Sequence, residues 1–240
     1  MTELSDKEQA RIDDLMRIVP KNLSTVLEIG ARHGVLTRLL LNHFEHVTAL
    51  DLAMPPFRMD RVTPVKGDVR NLEFPDQSFD CVFCTEVLEH VPGVEQAARE
   101  ISRVARHAIV IGVPYKQDLR VARLTCQTCR KSTPAWGHVN SFDERRLGEL
   151  FPQWHPTNSY VGQQRARTNC IAAWLQDIGS NPYGPYDQEE PCIHCGAKLT
   201  APADLTLPER LAVAAGIRLQ NLHTRFTVPH ANWIHVVFGR

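Results

Sequence analysis

From Ser24 to Leu52 the chain reads STVLEIGARHGVLTRLLLNHFEHVTALDL. An apolar run (Val26, Leu27, Ile29) stops at Gly30, a helical stripe follows (Val35, Leu36, Leu39, Leu40), and a second apolar run, HVTALD, ends on Asp51. Strand, helix, strand is a β-α-β unit, and such units imply a parallel sheet. The rhythm continues: VTPVKGD and FDCVFCTEV read as strands three and four, GVEQAAREISRVAR as an amphipathic helix, and HAIVIGVP as strand five. The order β-α-β-β-β-α-β is that of a doubly wound α/β sheet, whose ligands sit at the C-terminal ends of the strands. Ahead of it, residues 5–19 read as a helix with Ser5 as N-cap and Pro20 as the stop.

After Pro114 the rhythm breaks. Residues 116–140 have no period, FDERRLGELF reads as a short helix and TNSYVGQ as a strand, and residues 165–205 are mixed, with GSNPYGPYDQEEP in their middle. A helix, LPERLAVAAGIRLQNL, and an apolar strand, NWIHVVFGR, close the chain. A terminal apolar strand suggests a return to the sheet. Residues 1–115 and 206–240 are therefore expected to form the core, and 116–205 to be insertions, with one late core helix and strand near 141–164.

Lys plus Arg equals Asp plus Glu, 27 each, so charge gives no case for wrapping nucleic acid. No run approaches the ~20 apolar residues that span a bilayer, and the polar opening MTELSDKEQARIDD lacks the h-region of a signal peptide. These features read as a cytoplasmic protein, with peripheral contact at the inner membrane surface left open. Seven cysteines in such a chain point to metal or free thiols rather than disulfides.

Two Cys-x-x-Cys pairs stand out, Cys126/Cys129 in TCQTCRK and Cys192/Cys195 in PCIHCGAK. Each pair can wrap one side of an ion, and together they make a closed tetrahedral thiolate cage of the kind that holds structural Zn²⁺. Closing the 62-residue separation costs about 3.7 kcal/mol, well below the ~10–16 kcal/mol that a structural zinc site supplies. A third pair, Cys81/Cys84, lies in strand four, where positions three apart face opposite sides of the sheet. Those two, and Cys170, are expected to be buried small hydrophobes.

Residues 26–113 resemble the class I S-adenosylmethionine-dependent methyltransferases of the methyltransferase-11 type. Four pieces in order carry the resemblance: VLEIGARHG, ALD, KGDVRNLEFPDQSFD and EVLEHV. The glycine loop and a following acidic residue are shared with nicotinamide-binding folds; the later two pieces are not. The resemblance implies a Rossmann-like, seven-stranded doubly wound sheet and S-adenosyl-L-methionine as cofactor. Gly30 and Gly34 would let the backbone pass close to it, Asp51 would take the ribose hydroxyls, Asp68 and Val69 would meet the adenine, and Glu86 would line the methionine end. Glu28 would orient the loop or reach the cofactor's amino group. Arg32 departs from the pattern, standing where the family has its middle glycine, so the loop's conformation is open.

The acceptor is less constrained. An alcohol acceptor needs a base, and the candidates are His90, ending EVLEH, and His138, in AWGHVN. Trp136, Trp154, Tyr183 and Tyr186 could stack on sugar rings or form a mini-core around zinc. The inserted cysteine pairs together with GHVNSF resemble zinc-binding sugar O-methyltransferases of cell-envelope glycolipid synthesis. That resemblance implies a small-molecule or lipid-linked sugar acceptor and a zinc-stiffened lid beside the donor pocket. A zinc-bearing RNA or protein methyltransferase and a non-catalytic cofactor-binding regulator stay open as alternatives.

Overall fold

The first apolar run becomes β1 (Thr25–Ile29), with four of its five residues buried, as a strand covered by helices on both faces requires. The computed structural model describes residues 5–240; the first four residues of the acidic amino terminus lie outside the described residues. In chain order the elements are α1 (Asp6–Ile18), β1, α2 (Val35–Leu40), β2 (His46–Asp51), β3 (Val62–Lys66), β4 (Phe79–Thr85), α3 (Val94–Val104) and β5 (Ala105–Pro114). The short pair β6 (Leu124–Thr125) and β7 (Ser132–Thr133) follows, then α4 (Glu144–Leu150), β8 (His155–Val161), α5 (Cys170–Ile178), α6 (Leu207–Arg225) and β9 (Trp233–Gly239).

Seven strands form one mixed sheet in the order β3-β2-β1-β4-β5-β9-β8. The pairs β3/β2, β2/β1, β1/β4 and β4/β5 are parallel, while β9 runs antiparallel to both β5 and β8. The terminal strand does return to the sheet. Period-two alternation divides the core into two layers. Leu27, Ile29, Val82, Cys84, Ile109 and Ile111 pack with Ala97 and Ile101 of α3 and Leu147 of α4. Val26, Cys81, Phe83 and Val110 pack with Leu15 of α1 and Leu40 of α2. Cys81 and Cys84 thus point to opposite faces, as expected, and both are fully buried. Ser5 caps α1 by accepting from the Glu8 N–H, and Asp143 caps α4 by accepting from the Arg146 N–H.

The chain divides into two compact units. One comprises the residues up to Tyr115, Phe142–Gln163 and Ala231–Arg240; the other comprises Lys116–Ser141 and Gln164–His230. Residues 142–163 are the late core helix and strand. The expectation that 206–230 also belong to the core is corrected: α6 packs along α5 in the second unit. Within the mixed stretch 165–205 a helix forms, and Asn169 caps α5 by accepting from the Ala172 N–H at 2.9 Å. Cys170, at the start of α5, is exposed and not the buried hydrophobe expected.

The second unit has its own small core of Leu124, Cys126, Ala135, Cys192 and Leu199, with Tyr186 against it. Of the other aromatics assigned to that role, Trp154 is buried in the main core, whereas Trp136 and Tyr183 are exposed. The α5/α6 pair closes over small residues: Ala172 and Ala173 are buried on α5, Val213 and Gly216 on α6. A Cβ on Gly216 would lie 2.8 Å from the Ala172 carbonyl oxygen and 3.0 Å from the Leu175 and Gln176 side chains. Gly216→Val should therefore cost about 1–3 kcal/mol by overpacking and speed amide exchange throughout α5 and α6. Unchanged protection in both helices would show that this contact does not hold them together.

Candidate functional site

At the end of β1 the chain must turn at once, and its backbone does so through positive φ. Gly30 has φ 86°, Arg32 φ 42° and Gly34 φ 76°. A Cβ at Gly30 would stand 2.4 Å from Val87 Cγ2, and one at Gly34 2.7 Å from the Phe57 ring. Glycine is needed at both positions for conformation and for space. Arg32 keeps the left-handed backbone that a glycine would adopt freely. Its N–H donates to Asp51 Oδ2 at 2.9 Å, while the Gly30 and Ala31 N–H groups donate to the Leu50 carbonyl. The loop is thus hung on the end of β2 despite the missing glycine.

Beside this loop lies a cavity of about 220 Å³, lined by Gly30, Arg32, Asp51, Asp68, Val69, Glu86 and His90 among others. The fold therefore brings together six of the candidate site residues, Gly30, Asp51, Asp68, Val69, Glu86 and His90, with Arg32 among them. Asp51 is partly spent on the loop, with Oδ2 taken by Arg32 and Oδ1 accepting weakly from the Ala53 N–H at 3.4 Å. Asp68 is held by Arg70, whose side chain reaches it at 2.6 Å. That hydrogen bond keeps the Asp68 carboxyl below its ordinary pKa. Glu28 is buried and accepts from the Thr37 hydroxyl at 2.5 Å, so it ties β1 to α2 and supports the loop. His138 belongs to the second unit, where its Nδ1 hydrogen-bonds with Gln117 Oε1 at 2.6 Å.

The wall after β4 is unusually acidic. Glu86 sits at φ 54°, a strained conformation for a non-glycine residue. Its Oε2 accepts from Trp233 Nε1–H at 3.3 Å, and its Oε1 is buried with no hydrogen-bond partner. Glu89 is wholly buried with both oxygens in the same state. Burial, and for Glu89 the Glu86 charge as well, raises both carboxyl pKa values. Arg11 of α1 supplies opposing charge: burial works against its cation, but the Glu8 hydrogen bond and the charges of Glu86 and Glu89 prevail and raise its pKa. The Glu89 carboxyl and the His90 ring have ligand atoms within 4.8 Å of one another. Arg11, Glu89 and Trp233 escaped the sequence reading; only the EVLEH string hinted at Glu89, and nothing local marked the other two.

In the second unit the four cysteines do converge, with all sulfurs within 4.8 Å of one another. Cys126 and Cys195 are 3.7 Å apart, as are Cys129 and Cys192. A Zn–S length of about 2.3 Å sets a tetrahedral edge of about 3.8 Å, so the spacing fits. Each knuckle closes by a pair of backbone bonds, Arg130 N–H to Cys126 O and Cys126 N–H to Lys131 O in the first, and Gly196 N–H to Cys192 O and Cys192 N–H to Ala197 O in the second. Burial opposes the Cys192 thiolate, but the Thr133 hydroxyl and the His194 and Cys195 N–H groups bring its pKa down to about 6. The Ala197 N–H favours the Cys195 thiolate, yet burial and the neighbouring thiols push it up to about 12. Thiols this close resist joint ionisation unless a cation compensates them.

Comparison with known proteins bears on the core. Residues 27–109 match the model of a methyltransferase domain. The YcgJ protein of Bacillus subtilis shares its fold, with a TM-score of 0.58 at 14% identity over 96% of this chain and 97% of that one. So does the [4+2]-cyclase SpnF, with a TM-score of 0.55 at 14% identity over 97% of this chain and 81% of that one, which shows that this methyltransferase-like fold does not dictate the reaction. A ubiquinone biosynthesis O-methyltransferase from Xylella fastidiosa is 33% identical over 92 residues, 34% of this chain and 37% of the relative. A sterol 24-C-methyltransferase from Yarrowia lipolytica is 46% identical over 54 residues, 22% of this chain and 14% of the relative. The chain spans well under half the length of these curated relatives.

Glu28 offers a direct test of the loop's support. Burial, with Asp51 adding to it and Thr37 opposing, raises its carboxyl to about 7 from an ordinary 4.5. A carboxyl raised in the fold favours folding while protonated, so its contribution is present below about pH 4.5 and is lost as pH rises to about 7. Glu28→Gln keeps an acceptor for Thr37 and removes the titration. Wild-type stability should fall by roughly 3 kcal/mol relative to the variant between pH 4.5 and 7.5. Parallel melting curves for the two across that range would show that Glu28 is not held in this environment.

Proposed function

We propose that the chain is an S-adenosylmethionine-dependent methyltransferase that O-methylates a sugar hydroxyl of a glycolipid or envelope glycan. The observation that carries the transferase reading is the cavity at the C-terminal ends of β1, β2 and β4, in a domain of methyltransferase type. Asp51 takes the ribose of the donor, Asp68 and Val69 border its adenine, and Glu86 faces its methionine end. The donor supplies an electrophilic methyl on a sulfonium. With the donor bound, its methyl would pass to the acceptor oxygen as the C–S bond breaks, and the hydroxyl proton would pass to a base. His90 is the better base, because it lines the cavity, with the Glu89 carboxyl within 4.8 Å of its ring. Support for O-transfer comes from this pair and from the partial likeness to the ubiquinone biosynthesis O-methyltransferase. The glycan acceptor rests on the sequence resemblance of the cysteine pairs and GHVNSF alone.

The measurement that tests this is donor binding by calorimetry alongside turnover on an accepted sugar. Asp51→Ala should weaken donor binding by about 1.5–3 kcal/mol, the scale of lost hydrogen bonds to a carboxylate. His90→Ala should lower turnover about 10²–10⁴-fold with donor affinity near wild type, while His138→Ala should mainly lower stability. Unchanged donor affinity in Asp51→Ala overturns the cofactor assignment; normal turnover in His90→Ala removes the base.

The four cysteines hold one structural Zn²⁺, supported by the 3.7 Å sulfur spacings and by a ligand set that leaves no open position for chemistry. Elemental analysis should find one zinc per chain, and Cys126→Ser or Cys195→Ser should lose it together with several degrees of melting temperature. A metal-free protein that melts like wild type would count against the site.

A further inference from the structure

The α5/α6 pair is amphipathic the wrong way round. Its helices bury small side chains against each other and turn large apolar ones outward. On α6, Leu207, Leu211, Ala215, Arg218, Leu222, Arg225 and Phe226 recur at helical spacing along one exposed stripe. Leu211 is 62% exposed, Phe226 82%, and Val228 just beyond the helix 82%. On α5, Ile171 and Trp174 are 59% and 60% exposed on the side away from α6, so the α6 stripe stands by itself. An apolar stripe of this size on an exposed face marks a site of contact.

Charge identifies what covers it. No acidic residue occurs between Arg210 and His230, nor between Gln164 and Gln176. Arg218 and Arg225 stand within the stripe, and Arg165 reaches the end of α6 by donating from Nη1 to the Arg225 carbonyl at 3.5 Å. The Thr224 hydroxyl donates to the Arg167 carbonyl at 3.0 Å, which brings Arg167 to the same end. Exposed Leu, Phe and Val ringed by arginines is the composition of a surface lying in the headgroup region of an anionic bilayer. A second copy of the chain fits less well, because a two-fold contact sets the same stripe against itself and brings arginine to arginine. A nucleic acid would use the arginines and leave the aliphatic side chains in water.

We propose that the outer face of α6, centred on Leu222, Arg225 and Phe226, docks the protein on an anionic lipid surface. It lies on the membrane and does not cross it, since no helix among the described residues is long and apolar enough to span one. Phe226, Val228 and Leu222 enter the acyl boundary while Arg165, Arg218 and Arg225 pair with lipid phosphates. This goes beyond the transferase reading, and the two fail separately: vesicle binding needs neither methyl donor nor acceptor.

The test is co-sedimentation of the 240-residue chain with phosphatidylcholine vesicles, with and without about one-third phosphatidylglycerol. Binding should need the anionic lipid and weaken at high salt. Arg218→Gln with Arg225→Gln should lower the partition coefficient about 25-fold, five-fold for each charge near the surface. Phe226→Ser with Val228→Ser should lower it at least ten-fold. Both pairs change exposed positions, and an unchanged circular dichroism spectrum and melting temperature confirm that each variant folds. Equal binding to neutral and anionic vesicles, no binding to either, or variants that bind like wild type would overturn the proposal. So would light scattering that finds a wild-type dimer dissociated by the Phe226/Val228 substitutions, since a second copy would then be the occupant.

Discussion

Parallel pairing of β1 with two neighbours is the constraint from which the candidate site follows. Strand β1 sits between β2 and β4, and the register sets Ile29 beside both Leu50 and Cys84. One residue past that line come Gly30 and Asp51; two past it on β4 comes Glu86. Three separate stretches therefore deliver their polar residues to one edge, because the sheet's hydrogen bonds leave them nowhere else to go. The chain leaves β1 towards one side and β4 towards the other, so a crevice opens where the order reverses. The glycines answer the same constraint: a loop that must turn immediately, against Val87, has room for no side chain at Gly30.

Concentrating carboxylates at one edge has an electrostatic consequence. Glu28, Asp51, Glu86 and Glu89 lie close enough that Asp51 raises the Glu28 pKa and Glu86 raises that of Glu89. Arg11 and Arg32 lower the pKa values of Glu86 and Glu89, yet buried carboxylate oxygens stay without hydrogen-bond partners. Buried polar atoms left this way are costly, and a site that keeps them is better suited to a positively charged guest than to a neutral one. A sulfonium donor bearing an ammonium group is such a guest.

Much of the core was legible in sequence because each signal there is local. A five-residue apolar run ending in glycine, an aspartate closing the next run and the alternation that separates Cys81 from Cys84 all express the two-residue period of a strand. The cysteine cage was legible for a different reason: doubled Cys-x-x-Cys spacing is itself a geometric statement. Arg11 and Trp233 were not legible. They meet the Glu86 wall from opposite ends of the chain, Trp233 Nε1–H donating to Glu86 and the Arg11 guanidinium 6.0 Å over the Trp233 ring. No window of sequence contains both.

The misplacement of α6 has a more instructive cause. In the sequence, LPERLAVAAGIRLQNL goes with the core because the apolar strand that follows it returns to the sheet. In the structure the inward face is the poorer one, Val213 and Gly216 against Ala172 and Ala173, because small residues let two helices approach closely. The larger apolar groups are then left outside. Burying Leu211, Leu222 and Phe226 would gain about 1.5–3 kcal/mol each, so a fold that turns all three outward forgoes a stabilisation comparable to the net stability of a domain. An apolar face left in water at that cost is what the docking proposal rests on, and the closing strand, on which the core assignment stood, carries no sign of it.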